Sequence, residues 1–228
     1  MVAKKVGVTC LNQRQFEDAD LTAHDLILML SYDSIIPPDR LRLTRFVNFH
    51  NGLLPQYRGA RSNVWPILNG ESSAGVTCHA IWAQLDAGPI IATRSFSLSR
   101  EETGRSLYRR LAAASILLFR DKLELLVAGA YQEVTQDACI AHLYKKISVN
   151  FESVEIDFSR GSSFVERFVR ALYFPEFQTA RFRSRSVLRV AVTDRVSDLP
   201  PGMLTGMQVD GWQSVATSDL DVKLQLSD

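Results

Sequence analysis

The chain has 228 residues, of which 46% are hydrophobic, and its 26 basic and 25 acidic side chains leave a net charge of +1. That hydrophobic share supplies a core and excludes a disordered chain, and the even charge excludes a protein drawn globally onto nucleic acid or anionic lipid. Cys10, Cys78 and Cys139 are scattered with no CxxC spacing, which points to a reducing compartment and away from a disulfide framework or a metal site.

In chain order, residues 6–11 (VGVTCL) are apolar and β-branched and read as a short strand. Residues 25–32 (DLILMLSY) read as a buried strand with apolar residues on both faces, as a parallel sheet requires, and Pro37 and Pro38 stop it. Within it Leu26–Leu30, the longest apolar run, is too short to cross a bilayer. No charged and then apolar leader opens the chain, so the expected location is cytoplasmic. Arg45–His50 (RFVNFH) is a third strand, and Gly52, Pro55 and Gly59 mark a loop over 51–59. A short helix carrying Trp65 is expected over 62–69, a fourth strand over 75–82 (GVTCHAIW) and a fifth over 90–96. The strongest periodic signal follows. Leu107, Leu111, Ala114, Leu118 and Leu125 recur at helical spacing across 103–128, and Gly129 stands where a left-handed terminal glycine belongs. Residues 144–158 are a mixed connector, and 163–174 are helical with Phe164, Phe168 and Leu172 on one stripe. From 179 onward, short strand-like runs (VLRVAV, QSVAT) alternate with Pro200, Pro201, Gly202, Gly206 and Gly211. Strands alternating with helices predict an α/β fold with a mostly parallel sheet. The expected organisation is a main domain over 1–145, a linker with a helix over 146–178 and a small β-rich domain over 179–228.

The chemistry gathers at the end of RFVNFH. Side chains alternate along a strand, so Asn48 and His50 face the same way, about 7 Å apart, at the end of the strand where open α/β sheets place their ligands. Asp86 lies in the turn AQLDAGP, just past another strand. An asparagine amide donates hydrogen bonds to a developing oxyanion, an imidazole takes a proton near neutral pH, and a carboxylate fixes the imidazole tautomer and steadies its charged form. Acyl transfer to an amine can run on this set and needs no metal. Cys78 and His79 are strand neighbours on opposite faces, so they are expected to be structural rather than a nucleophile and its base. Arg58 fits either an anchor for its own loop or a phosphate contact. Arg181, Arg183, Arg185 and Arg189 read as a solvated strand face.

The segments NFHNGLLPQYRG, NGESSAGVTCHAI and LDAGPII, in this order and spacing, resemble the signature of the formyltetrahydrofolate-dependent formyltransferases. The matching positions are Asn48, His50, Leu53, Leu54, Pro55, Tyr57, Arg58, Gly59, Gly75, Val76, Thr77, Asp86 and Gly88. The resemblance implies a Rossmann-like formyltransferase catalytic domain over 1–145, with Asn48, His50 and Asp86 as the catalytic residues and N10-formyltetrahydrofolate as co-substrate. It implies a folate pocket made by Tyr32, Asp33, Ser34, Ile35 and Ile36 on one side and by Gln84 and Leu85 on the other, with apolar contact from Ile35 and Leu54. RSNVWPILNG is similar to the sugar N-formyltransferases and favours a nucleotide-linked amino sugar as acceptor. YKKI, IDF and RFVRAL resemble the linker of the methionyl-tRNA members and make methionyl-tRNA the alternative. A non-catalytic relative that binds folate or a partner is a third reading. Set against the family pattern, the chain starts about one and a half strand–helix units late, which is expected to leave the strands over 6–11 and 25–32 on an edge open to pairing with a second copy of the chain.

Overall fold

The alternating pattern of RFVNFH places that segment in the middle of a sheet. The computed structural model describes residues 13–30, 32, 34–145 and 154–227. The strand expected over 6–11, Asp33, and residues 146–153 of the connector lie outside the described residues. The elements are α1 (Gln13–Asp18), β1 (Leu26–Leu30), β2 (Arg45–His50), β3 (Arg58–Gly59), α2 (Trp65–Leu68), β4 (Ser73–Ala80), β5 (Ile90–Ser97), α3 (Gly104–Ala128), β6 (Leu143–Tyr144), α4 (Ser162–Leu172), β7 (Arg181–Phe182), β8 (Arg185–Val192), β9 (Trp212–Val215) and β10 (Val222–Leu226). No helix among the described residues is long and apolar enough to cross a membrane.

The α/β architecture with a β-rich C-terminal part is present. The first sheet runs β1-β2-β4-β5, with β1 and β2 parallel and the β2–β4 and β4–β5 pairs antiparallel. Among the described residues this sheet is therefore mixed where mostly parallel pairing was expected. A short connection from β4 to β5 closes a hairpin and enforces the antiparallel sense, since only a long crossover returns a chain parallel. Alternate residues of β1 go to opposite faces, as expected: Leu26 and Leu28 pack on the main core, while Ile27 and Met29 join a smaller cluster with Leu21, Ile36 and Phe46. The register that matters for the site pairs Asn48 with His79 and His50 with Thr77.

Helix α3 begins with a capping box between Thr103 and Ser106 and ends at Gly129 in the left-handed region. Leu107, Leu111, Ala114 and Leu118 are buried as the spacing predicts, but at the far end Leu126 is buried and Leu125 is exposed. Both spacings satisfy a 3.6-residue period, and the neighbouring contacts decide. The same correction applies to α4. Its buried stripe is Val165, Val169 and Leu172, while Phe164 and Phe168 stack on one another at 5.6 Å, only partly buried. The helix around Trp65 is only four residues long.

The second sheet, β7-β8-β10-β9, is antiparallel throughout. Val187, Val215, Val222 and Leu224 belong to the same buried cluster as Val76, Leu107 and Val169, so the C-terminal part shares one continuous core with the main sheet. Backbone packing is tight where α3 starts and α4 ends. A Cβ on Gly104 would run into the carbonyl oxygen of Ala171, and the Arg105 N–H donates to the Tyr173 oxygen at 3.0 Å. This seam fixes the turn after α4 against α3. The run Arg181, Arg183, Arg185 and Arg189 is solvent-exposed, as expected.

Leu107 has no exposed surface, whereas Leu117, on the same helix, is 46% exposed. Leu107→Ala should cost about 2–5 kcal/mol and lower the melting temperature by roughly 4–20 °C, while Leu117→Ala should stay within about 0.5 kcal/mol of the parent. Denaturant unfolding of both variants checks this; equal losses would mean that α3 is not docked by the face described.

Candidate active site

Asp86 sits where the chain leaves β4 for β5, with its backbone in the left-handed region at φ 50°, a conformation that aspartate adopts more readily than most residues. Three groups hold it there. The Gly59 N–H donates to Asp86 Oδ2 at 2.7 Å. Gln136 Nε2 donates to the carbonyl oxygens of Asp86 and Gly88 at 2.8 and 2.6 Å. Arg58 Nε and Nη2 in turn donate to Gln136 Oε1 at 3.0 and 2.8 Å. Arg58 is therefore a loop anchor, the first of the two roles its position allowed. Gly59 itself lies at φ 90°, and a side chain there would strike the Tyr144 carbonyl, so the N–H that holds Asp86 depends on a glycine.

Asn48 and His50 lie on the same face of β2, His50 facing Asp86 and Asn48 facing His79. His50 is buried, and its Nε2 lies 2.7 Å from the Tyr57 carbonyl oxygen. A carbonyl only accepts, so Nε2 carries the hydrogen. The other nitrogen, Nδ1, faces Asp86 Oδ2 at 3.6 Å. This geometry corrects the division of roles read from the sequence. The Tyr57 carbonyl fixes the tautomer, and Asp86 stands beside the nitrogen left to take a proton.

His79 is a member of the site that the sequence reading set aside. Its ring lies 6.2 Å from that of His50, and its Nε2 lies 3.6 Å from Asp86 Oδ1. His79 Nδ1 donates to the Ala80 carbonyl at 2.8 Å, which leaves Nε2 to accept from Asn48 Nδ2 at 3.3 Å. Burial pulls the His79 pKa down from 6.5 to about 4, against the opposing pull of Asp86, so the ring is neutral at pH 7 and serves as an acceptor. The Asn48 amide is thereby held one way round, with its second N–H left for a ligand. The missed signal lies in the alternation of β4. Val76 and Cys78 are fully buried in the core, which puts Thr77 and His79 on the site face. Thr77 accepts from the Leu54 N–H at 3.1 Å and donates to the Gly52 carbonyl at 2.7 Å, pinning the loop after His50. Cys78, turned to the core, has its thiol pushed up to about 12 by burial, so it is no nucleophile at neutral pH.

A cavity of about 270 Å³ opens over these groups, lined by Asn48, His50, Asn51, Arg61, Tyr108 and Tyr32 among others. Of the residues expected to hold folate, Tyr32 lines this cavity. Ile35 and Leu85 are exposed on the two flanking segments, at 77% and 48%, and leave apolar surface for a ring system. Ser34 is half-buried and Gln84 exposed. Ile36 and Leu54 are buried, Ile36 in the smaller cluster with Leu21, Met29 and Phe46 and Leu54 in a loop bonded to Thr77, so neither offers the open apolar surface expected of it. Asn51 Oδ1 is buried with no hydrogen-bond partner among the described residues, an unspent acceptor beside His50 that a ligand N–H would satisfy.

The family model described as formyl transferase matches residues 9–121. The chain is 32% identical over 228 residues to a methionyl-tRNA formyltransferase of Roseiflexus castenholzii, covering 95% of this chain and 72% of that protein. It is also 32% identical over 155 residues to the methionyl-tRNA formyltransferase of Geotalea uraniireducens, where it spans 48% of the relative's length. The fold matches a Helicobacter canadensis N-formyltransferase, solved with folinic acid and dTDP-3-aminofucose, at a TM-score of 0.82 and 21% identity, over 99% of this chain and 81% of that one. A sugar N-formyltransferase from a Shewanella species aligns at a TM-score of 0.67 and 21% identity over 82% of this chain and 74% of that one.

The depressed His79 carries a pH signature. Between about 4 and 6.5 the unfolded chain binds a proton that the folded His79 refuses, so stability rises with pH through that window and is lost as pH falls through it. His79→Gln, whose amide can bond to the same partners, should flatten that part of the profile. Urea unfolding at a series of pH values measures it; a slope unchanged by the substitution would show that His79 is not held neutral.

Proposed function

The chain belongs to the formyl transferase family, and from that premise we propose that it moves a formyl group from N10-formyltetrahydrofolate to a primary amine, with Asn48, His50 and Asp86 carrying the reaction. The observation that carries this reading is the convergence of His50 and His79 on the Asp86 carboxylate, with Asn48 bonded to His79, beside a cavity at the end of β2.

Each side chain has a task set by its partners. With one N–H of Asn48 committed to His79, the other donates to the oxygen of the formyl group as the amine attacks and negative charge builds on it. One such donor is typically worth about 10²–10³ in rate. His50 takes the proton lost by the attacking nitrogen at Nδ1, directly or through one water, because Nε2 is committed to the Tyr57 carbonyl. The resulting imidazolium bonds to Asp86, and the 3.6 Å gap closes to a charge-assisted hydrogen bond. The tetrahedral intermediate then collapses, the bond from the formyl carbon to N10 breaks, and the proton held on His50 passes, directly or through water, to N10 of the departing tetrahydrofolate. Tyr32 with the segments around Ile35 and Leu85 forms the folate side of the cleft.

For the acceptor, the reading is a nucleotide-linked amino sugar. RSNVWPILNG supports it, since Arg61 and Asn63 of that segment line the cavity over His50. Methionyl-tRNA is the second reading, favoured by the relatives that match nearly the whole chain.

His50→Ala should lower turnover by several orders of magnitude and Asn48→Ala by at least about 10², with binding of a stable formyltetrahydrofolate analogue kept within a few-fold. Steady-state kinetics with calorimetry checks both, and a His50→Ala enzyme with more than a tenth of the parent rate would remove His50 from its assigned role. Formyl transfer to a nucleotide amino sugar should depend weakly on salt. A tRNA acceptor would show affinity falling steeply with salt as phosphates shed counterions, and that result without sugar turnover would replace the first reading by the second.

A further inference from the structure

His50 stands between two groups that favour opposite tautomers. Asp86 Oδ2, 3.6 Å from Nδ1, favours a hydrogen on that nitrogen, while the Tyr57 carbonyl, 2.7 Å from Nε2, favours it on the other. A base that faces Asp86 needs the second arrangement, so the placing of one peptide oxygen decides it. That peptide unit is gripped at both ends. Its N–H, from Arg58, donates to the His142 carbonyl at 3.0 Å. At the other end Gly52 packs against the bond itself: a Cβ there would stand 2.8 Å from His50 Nε2 and 2.9 Å from the Tyr57 oxygen.

The Tyr57 side chain is held as firmly as its backbone. The ring is buried and stacks on that of Tyr144, with centroids 5.5 Å apart. Its hydroxyl donates to Glu71 Oε1 at 2.7 Å and accepts from Asn69 Nδ2 at 3.3 Å. Burial, and after it the bond to Glu71, push the hydroxyl pKa above its ordinary value, so the group stays a donor at neutral pH. Among the described residues the Glu71 carboxylate has one hydrogen-bond partner, and that partner is Tyr57. Glu71 is exposed, but its backbone is fixed. It lies in the turn from α2 to β4, where the Glu71 N–H donates to the Pro66 carbonyl at 2.9 Å and Gly70 takes a left-handed φ of 74°. A surface carboxylate on a bonded turn thus reaches inward for a single hydroxyl, on the residue whose carbonyl orients His50.

We propose that Glu71 and Tyr57 form a positioning pair, which fixes the Tyr57 peptide so that His50 keeps its hydrogen on Nε2 and leaves Nδ1 open. Neither side chain touches the reacting atoms; both act through the Tyr57 carbonyl. That oxygen cannot leave His50 without a shift of the Tyr57 backbone, and the stacked ring and its bonded hydroxyl oppose the shift. Without the hydroxyl bond the ring slides on Tyr144, the 2.7 Å contact to Nε2 lengthens, and Asp86 draws the hydrogen to Nδ1. The consequence for rate rests on the reading of His50 as the base, because an Nδ1 that already carries a hydrogen cannot take one from the amine.

The test is NMR of the histidine ring nitrogens in the full chain at about pH 8, where an ordinary imidazole is neutral, with the His50 signals assigned by their loss in His50→Gln. The parent should carry the His50 hydrogen on Nε2. Tyr57→Phe, which keeps the stacked ring, and Glu71→Ala, at the surface, should each convert a measurable share of His50 to the Nδ1–H form. Glu71→Gln keeps an acceptor for the hydroxyl and should restore the parent spectrum. Gly52→Ala, whose methyl presses on both atoms of the bond, should shift the tautomer as well and serves as the positive control. In formyl transfer, Tyr57→Phe and Glu71→Ala should lower kcat roughly 5- to 30-fold, with KM for the donor kept within about twofold. A His50 spectrum unchanged in both Tyr57→Phe and Glu71→Ala would overturn the proposal, whatever the rate does. A shifted tautomer with unchanged kcat would keep the positioning pair and remove His50 from its role as base, so the two readings fail separately.

Discussion

One carboxylate organises this site. Asp86 faces Nδ1 of His50 and Nε2 of His79, each at 3.6 Å, and accepts the Gly59 N–H at 2.7 Å. A buried carboxylate between two rings is costly unless its oxygens are bonded, and the bonds are supplied from a distance in sequence. Gln136 fastens the backbone of Asp86 and Gly88, Arg58 fastens Gln136, and the β3–β6 pairing fastens the loop that carries Gly59. The left-handed backbone of Asp86 persists because this clamp over-determines it.

The second constraint is strand register. Asn48 stands opposite His79 because β2 and β4 pair antiparallel in one register, and a slip of one residue would bring Cys78 to the site face and send His79 into the core. The burial that neutralises His79 makes it a reliable acceptor for the Asn48 amide. An amide that is free to flip would present its oxygen rather than its N–H to a developing oxyanion half the time. Under the proposed reading His79 is a positioning residue, acting through Asn48.

Much of this was legible in the sequence, and the failures have physical causes. The alternation in RFVNFH put Asn48 and His50 on one face, and the AQLDAGP turn marked Asp86. The same alternation, carried through GVTCHAIW, separates Thr77 and His79 from Val76 and Cys78, but strand pairing is needed to see that their face is shared with Asn48 and His50. Gln136 carries no motif of its own; its role exists only because a distant segment folds back onto Asp86 and Arg58. The role of the Tyr57 carbonyl was illegible for a plainer reason, since backbone oxygens leave no trace in residue identity. In α3 and α4, periodicity found the helices but misplaced part of the buried stripe, because Leu125 and Leu126, or Phe168 and Val169, fit a 3.6-residue repeat almost equally well.

The central claim is that the Asp86 charge, and not merely its shape, serves the transfer. Asp86→Asn keeps an oxygen for the Gly59 N–H and changes volume little, while removing the charge beside His50. Single-turnover formyl transfer at saturating donor isolates that effect from binding. The expected rate is about 10²–10⁴ below the parent, the range typical of losing support for a general base, with the donor dissociation constant changed less than a few-fold. A variant within tenfold of the parent rate would contradict it and reduce Asp86 to a turn former.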